Sequence, residues 1–352
     1  MISPADSSPD LMYMQRALNL AIRGFADTGK NPMVGAVIVY EHRIIGEGYH
    51  ERYGDKHAEI NALESVCQAD KHLIQGSTMY VTLEPCSHTG KTPPCANRIV
   101  KEGIRRVVVG TSDPNPIVTG KGMGYLRANG LLVEISELQE ACDKLLIKFK
   151  ANLDGIPYIQ LKWAQSRNGY IGISGKNIWL SNGFTRILTH RDRNMFDGIL
   201  IGKGTAMTDN PVLDDRYFDF GKPVRILMDS NLELPSSYRL FDGSAPTWII
   251  NKIKNDDSGN PRYIQFDSCN LKGMLQLLYR SGITSLIIEG GAKVLQSFAE
   301  AGMWHVAMVI RTKKKLEDGL KAPLIQGVMK DRFQLAEDEV LIIENERFTN
   351  EN

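Results

Sequence analysis

The stretch "TLEPCSHTGKTPPCANRIV" (residues 82–100), taken with "HAE" at residues 57–59, decides how the first half of the chain reads. Cys86 and Cys95 stand with eight residues between them, and His57 and Glu59 lie upstream. One imidazole and two thiolates make three of the four ligands of a tetrahedral zinc and leave the fourth position for water. Zinc lowers the pKa of that water to about 7, and a carboxylate close by that is not itself a ligand can then carry its proton. Two cysteines on their own are usually small apolar side chains. The His-x-Glu pair, the Pro-Cys and the Pro-Pro-Cys that re-enters a helix turn the reading towards a metal centre.

Working outward, "TMYVTLEP" predicts a strand running into the cysteine loop. Cys95 opens the helix "CANRIVKEG", whose dipole favours a thiolate at its start. "HAEINALESV" predicts a helix from His57, with Glu59 in its first turn. Residues 12–24 carry helical periodicity closed by Gly24, and "MVGAVIVY" and "RIIGEGYH" are strands around a turn at Glu41-His42. "RRVVVG", a glycine-rich loop with a helix, and "GLLVEI" complete a β/α alternation. That pattern means a central sheet with helices on its faces. Residues 137–155 read as a helix and turn joining two domains, 1–150 and 151–352.

The second half restarts the alternation with "PYIQLKWA", a helix over 182–193, "DGILIGKGTA" entering a turn, "PVRILMD", "TWIIN", "LKGMLQLLYRSG", "SLIIEGG", "AKVLQSFAEAG" and "HVAMVIR". Lys162 lies inside an apolar strand. It is either an edge lysine snorkelling to water or a functional cation. The strand, Gly-Gly, helix arrangement at 289–297 lets backbone N–H groups approach a pyrophosphate, although such a turn is commonly no more than tight. It is not the G-x-G-x-x-G fingerprint, so a Rossmann reading lacks support. The polar stretch "NKIKNDDSGNPR" (251–262) reads as a surface loop.

A length of 352 residues suits two domains, and 42% apolar with 24% charged residues gives each a core. The net charge is +1 and the one notable run of like charge is Lys313–Lys315, so a long nucleic-acid partner is not expected. "MISPADSSPD" lacks a signal-peptide pattern, and no apolar run approaches the ~18 residues of a membrane span. Of five cysteines, Cys67, Cys142 and Cys269 are expected to be free and buried, a reducing, cytoplasmic pattern. The expected partner is a small molecule, with neither nucleic acid nor membrane; a homo-oligomer is left open.

H-x-E followed by P-C…C is similar to the zinc-deaminase signature, whose usual P-C-x-x-C is here lengthened by six residues. More fully, the whole chain resembles the bifunctional deaminase-reductase family of riboflavin biosynthesis. The front half carries "NPMVGAVIV", "GEGYH", "HAE", "TLEPCSHTGKTPPC" and "DPNP"; the back half carries "PYIQLKWAQS", "IWLSN", "ILIGKGTAMTDNP", "PVRILMD" and "IIEGGAKVLQSF". The resemblance implies an α/β fold, with an N-terminal cytidine-deaminase-like α/β/α domain and a C-terminal dihydrofolate-reductase-like α/β domain. It implies one zinc on His57, Cys86 and Cys95, and proton transfer by Glu59. Asn31, His50, His88 and Lys91 match positions that hold the pyrimidine and ribose phosphate. Lys162, Asn177, Arg193, Asp209, Leu213, Arg216 and Glu289 match substrate positions of the reductase. Ala164, Trp179, Thr205, Gly291, Ala292, Lys293, Val294, Leu295, Gln296 and Ser297 match positions for the cofactor, NADPH.

The chain departs from that family in three places. Asn168 stands where an acid is usual, so Asn168→Asp is expected to be tolerated. "RTKKKLEDGLKAP" replaces the C-terminal "APKLLGG" segment usual in that family, and Met33 replaces an asparagine. Two other classes stay open. One is a deaminase whose second half is a degenerate reductase-like binding domain. The other is a nucleic-acid base deaminase with an unrelated fused domain, against which the near-neutral charge argues.

Overall fold

The computed structural model describes residues 8–87, 93–116, 118–214, 217–218, 223–266 and 270–349. The chain divides into two compact units, Met1–Asp154 and Gly155–Asn352. Among the described residues, no helix is long and apolar enough to cross a membrane.

The first unit runs α1 (Pro9–Ala21), β1 (Gly35–Tyr40), β2 (Arg43–Tyr49), α2 (Ala58–Ser65), β3 (Thr78–Val81), α3 (Cys95–Lys101), β4 (Arg106–Val109), α4 (Lys121–Ala128), β5 (Leu132–Ile135), α5 (Gln139–Leu145) and α6 (Ile147–Leu153). Its sheet has the order β2-β1-β3-β4-β5. β1 is antiparallel to β2 and β3, and β3, β4 and β5 are parallel. Alternate side chains on these strands point to opposite faces. Ala36, Ile38, Met79, Val81, Val107 and Val109 pack with residues of α2, α3 and α4, among them Ala58, Ala62, Ile99 and Leu126. Val37, Val39, Tyr80 and Val108 pack on the other face with Met14, Ala17 and Leu18 of α1 and Cys142 of α5. The result is three layers. Gly48 lets β2 lie backbone-close to α2, because a Cβ there would meet the Ala62 nitrogen at 2.3 Å.

Two expectations are corrected in this unit. The helix expected over 137–155 is two short ones that meet at Leu146. Cys67 is exposed, not buried. α2 ends two residues before it, and Val66 takes the inward place, 2% exposed, leaving Cys67 to start a 3-10 turn on the surface. Cys142 is buried as expected, and Cys269 lies outside the described residues.

The second unit runs β6 (Tyr158–Gln165), β7 (Tyr170–Gly172), α7 (Gly183–Met195), β8 (Gly198–Gly202), α8 (Lys203–Asp209), β9 (Val224–Met228), β10 (Thr247–Asn251), β11 (Arg262–Gln265), α9 (Leu271–Arg280), β12 (Ser285–Ile288), α10 (Ala292–Glu300), β13 (Val306–Arg311), β14 (Leu320–Lys321), β15 (Val328–Leu335), β16 (Asp338–Glu344) and α11 (Glu346–Thr349). The nine-stranded sheet has the order β11-β10-β9-β8-β12-β6-β13-β16-β15, and β7 pairs with β14 apart from it. Strands β11 through β13 in that order are parallel. β16 and β15 close the sheet as an antiparallel hairpin.

The segment after β8 is a helix and not the expected turn; Gly202 serves as its N-cap. The loop expected over 251–262 ends in β11, whose first residue is Arg262. β15 is exposed along most of its length and charged at Lys330, Asp331 and Arg332, as suits a solvent-facing edge strand.

Candidate active sites

His57 is the N-cap residue of α2, and Glu59 follows in the first turn. Cys86 sits on the loop after β3, and Cys95 is the first residue of α3. These elements bring three ligand atoms together. His57 Nδ1 lies 3.7 Å from Cys86 Sγ and 3.4 Å from Cys95 Sγ, and all three atoms lie within 4.8 Å of one another. A tetrahedral zinc with bonds of about 2.0 Å to nitrogen and 2.3 Å to sulfur needs N···S edges of about 3.6 Å, so the donor set fits that ion. Two thiols without a metal share protons unequally. The hydrogen bond with Cys95 pulls Cys86 down to about 4, and the same bond pushes Cys95 up. His57 rises to about 9 through its bond with Cys86. A bound dication favours the deprotonated form of all three.

Glu59 is 3% exposed and stands outside the ligand set. Burial pushes its carboxyl up to about 7, the range in which one group can both take and give a proton. His50, also buried, turns its ring edge-on to His57 with centroids 5.6 Å apart. Its Nδ1 lies 3.0 Å from the Lys56 carbonyl and its Nε2 3.0 Å from Asn31 Nδ2. A carbonyl only accepts, so Nδ1 carries the proton and Nε2 accepts from the Asn31 amide. Burial lowers the pKa of His50 and keeps it in that neutral form. Asn31 is thereby fixed to His50, the ring neighbour of His57. His88 and Lys91 lie outside the described residues.

Glu84 carries no site signature in the sequence. Its buried carboxylate accepts from the backbone N–H groups of Asp113, Gly120, Gly122 and Met123, at 2.8–3.3 Å. It ties the Pro-Cys loop to the start of α4. A Cβ at Gly122 would meet the Pro85 carbonyl at 1.9 Å, so the two segments touch through backbone. A glutamate beside Pro-Cys is the one available signal, but the partners are backbone groups that no side-chain pattern reveals.

In the second unit Lys162 lies on β6, between β12 and β13, so it is not an edge lysine. Glu289 follows β12 and accepts a two-pronged pair from Arg193 of α7, Nε–Oε1 3.0 Å and Nη2–Oε2 2.7 Å. Both side chains of the pair are largely buried, 15% and 9% exposed. Burial lowers the pKa of Lys162, with Glu289 opposing and Arg193 adding to the shift. Burial alone would raise Glu289, but Arg193 and then Lys162 outweigh it and hold the carboxyl at about 2. Lys162, Arg193 and Glu289 therefore form one charge cluster. Asp192, which the sequence does not single out, joins its edge; it accepts from Gln160 Nε2 at 3.2 Å, and burial raises its pKa. Asp209 ends α8 with an exposed side chain, and Leu213 is buried in the left-handed region with φ 54°. Arg216 lies outside the described residues, and Asn177 is exposed.

β8 and β12 are neighbours, yet the chain leaves β8 towards β9 and leaves β12 towards β13, on opposite sides. A parallel sheet opens a ligand crevice at such a reversal, beyond the carboxyl ends of the strands. Gly202, Gly290 and Gly291 stand there. A Cβ at Gly202 or Gly290 would meet Val294 within 2.9 Å, and one at Gly291 would meet Thr205 Oγ1 at 2.9 Å. The glycines thus draw α10 and Thr205 together, with the first-turn N–H groups of α10 at the crevice. The residues that would hold a nucleotide cofactor lie along this helix. Leu295 is fully buried, Ser297 Oγ donates to the Val294 carbonyl at 2.8 Å, and Gln296 Oε1 accepts from Leu324 N at 3.0 Å. Ala164 and Leu188 both pack against Met308, Ile310 and Val340. The Trp179 ring is 57% exposed, with the Arg186 guanidinium 5.5 Å above it.

A three-layer unit with a His-Cys-Cys metal set, followed by a parallel-sheet unit with a nucleotide crevice, defines a zinc deaminase joined to a reductase. Residues 7–111 match the cytidine and deoxycytidylate deaminase zinc-binding region, and residues 157–309 match the RibD C-terminal domain. The riboflavin biosynthesis protein RibD of Bacillus amyloliquefaciens is 39% identical over 82% of this chain and 81% of its own length. That of Aquifex aeolicus is 38% identical over 88% and 89%. The crystal structure of a diaminohydroxyphosphoribosylaminopyrimidine deaminase/5-amino-6-(5-phosphoribosylamino)uracil reductase from Thermotoga maritima superposes with TM-score 0.86, at 31% identity, covering 96% of this chain and 99% of that one. The chain belongs to the RibD family and is a bifunctional deaminase and reductase of riboflavin biosynthesis. The reductase match sets aside an unrelated fused domain.

Proposed function

We infer that the first unit hydrolytically deaminates 2,5-diamino-6-ribosylamino-4(3H)-pyrimidinone 5′-phosphate and that the second reduces the ribosyl side chain of the product to ribityl with NADPH. The observation that carries this reading is the convergence of His57, Cys86 and Cys95 beside a buried Glu59, in one chain with the Lys162–Glu289–Arg193 cluster. A zinc ion held by the three ligands supplies the acidity that makes water a nucleophile near neutral pH. Glu59 takes the proton of the attacking water, protonates the ring nitrogen, and then hands a proton to departing ammonia. Asn31, fixed by His50, pairs with the pyrimidine edge, and His88 and Lys91 serve the ribose phosphate.

In the reductase NADPH supplies the hydride, received at the anomeric carbon of the ring-opened ribose. Lys162, a buried cation under the charges of Glu289 and Arg193, supplies the proton that the reduced sugar needs. Glu289 and Asp209 accept from ribose hydroxyls, and Arg193 and Arg216 hold the phosphate. Thr205, Trp179 and the first turn of α10 bind the dinucleotide. A coupled assay with the diaminopyrimidine phosphate tests the reading by following ammonia and NADPH separately. Zinc-dependent ammonia release followed by NADPH oxidation is expected. Ammonia without NADPH oxidation overturns the second half of the reading, and no ammonia overturns the first.

A further inference from the structure

The turn after β6 is strapped from one side by a segment far along the chain. Asn168 Nδ2 donates to the Leu316 carbonyl at 2.6 Å, and Leu316 N–H donates back to Asn168 Oδ1 at 3.2 Å. Ser166 Oγ donates to the same Oδ1 at 2.9 Å. The amide therefore uses its donor and its acceptor on one residue, which fixes its orientation. Backbone ties flank it. Arg167 N–H donates to the Lys314 carbonyl at 2.7 Å, Thr312 N–H to Gln165 at 2.9 Å, and Ala322 N–H to Gly169 at 2.8 Å. Leu320 and Lys321 pair with Gly172 and Tyr170. The strap also reaches the proposed cofactor residue, because Lys314 Nζ donates to the Trp179 carbonyl at 2.6 Å.

We propose that Asn168 is a positioning residue of the reductase, locking residues 312–322 as a strap that holds Trp179 in place for the dinucleotide. The inference rests on Trp179 being part of the cofactor site. A carboxylate at position 168 would keep the shape and the acceptor but lose the donor, and would set two oxygens against each other at Leu316. The expectation that Asn168→Asp is tolerated is thereby reversed: the amide and the altered segment after β13 belong together. The backbone ties on either side persist in that variant, so the strap loosens without unfolding the unit.

The test uses the full chain, with NADPH and already deaminated substrate. Asn168→Asp is expected to raise KM for NADPH about tenfold, with kcat at saturation within about twofold and ammonia release unchanged. Trp179→Ala should raise the same KM, and the double variant should show no further increase beyond the larger single effect. Trypsin should cut after Lys313–Lys315 faster in Asn168→Asp than in the parent chain. If Trp179→Ala leaves KM for NADPH unchanged, the cofactor reading of Trp179 falls and takes the strap's role with it. If Trp179→Ala raises KM while Asn168→Asp does not, or if Asn168→Asp lowers kcat and thermal stability at constant KM, Asn168 is not a positioning residue. Unchanged trypsin cleavage would show that Asn168 does not lock the strap.

Discussion

In the deaminase unit the proposed reacting groups lie close together in the chain and are set by helix starts and backbone contacts. His57 is a helix cap, Cys95 opens a helix, and Glu84 grips four backbone N–H groups to aim the loop of Cys86. In the reductase unit they come from separate elements, β6, α7 and the end of β12, and hold one another by charge. A site built on backbone geometry should lose chemistry and keep its fold when a reacting side chain changes. A site built on mutual charge should lose both together.

The largest expected effect lies at Glu59. Glu59→Gln keeps shape and volume but cannot take a proton, so ammonia release should fall roughly 10²–10⁴-fold. The three ligands remain, so metal analysis should still find about one zinc per chain. Cys86→Ser or Cys95→Ser should instead empty the site. All three variants should oxidise NADPH when given deaminated substrate. Zinc loss in Glu59→Gln would mean that Glu59 is a ligand and that the contrast between the units is misdrawn.

Next comes Lys162. Lys162→Ala should lower NADPH oxidation about 10²-fold and leave ammonia release intact. Reduction persisting within about tenfold of the parent, roughly 1.4 kcal/mol of barrier, would remove it from the mechanism. The same cluster has a pH signature. The carboxyl of Glu289 is held at about 2, below its ordinary 4.5. A depressed carboxyl contributes stability that is complete above its unfolded pKa and is lost as pH falls through the folded one. Acid unfolding of the reductase unit should therefore steepen between pH 4.5 and about 2. Glu289→Gln should flatten that region and cost about 3–5 kcal/mol at neutral pH, since Arg193 stays buried with half a partner. Circular dichroism from pH 7 to 2 on both proteins decides it; identical acid limbs would detach Glu289 from the fold's stability.

The same contrast explains what is legible in the sequence. Metal ligation needs fixed residue types at close range, so His57, Cys86 and Cys95 stand out from residue type together with the resemblance to the zinc-deaminase signature, and so does Glu59. Hydrophobic alternation exposes the three layers of the first unit and the buried parallel strands of the second. Asp192 and Gln160 are silent because the cluster they border assembles from elements distant in the chain. β15 hides because an exposed, charged edge strand carries no apolar stripe. Asn168 reads as a mild departure because its partner, the Leu316 backbone, has no sequence signature.

Glu84 and Glu289 are both buried carboxylates, one satisfied by backbone and one by a guanidinium, and the smallest predicted effect on turnover separates them. Glu84→Gln replaces one acceptor oxygen by an NH₂ that faces backbone donors. With Asp113 and Gly120 on one oxygen and Gly122 and Met123 on the other, either rotamer of the amide leaves two N–H groups unpaired. That should cost about 1–3 kcal/mol of stability in the deaminase unit. The zinc ligands are untouched, so turnover per bound zinc should stay within about twofold, while zinc should bind more weakly because the loop of Cys86 is less firmly held. Chelator titration with ammonia release normalised to bound metal measures the two effects separately. A fall in turnover per zinc comparable to that of Glu59→Gln would mean that Glu84 takes part in the chemistry. The deaminase would then depend on a network of charge, as the reductase does, and not on backbone geometry.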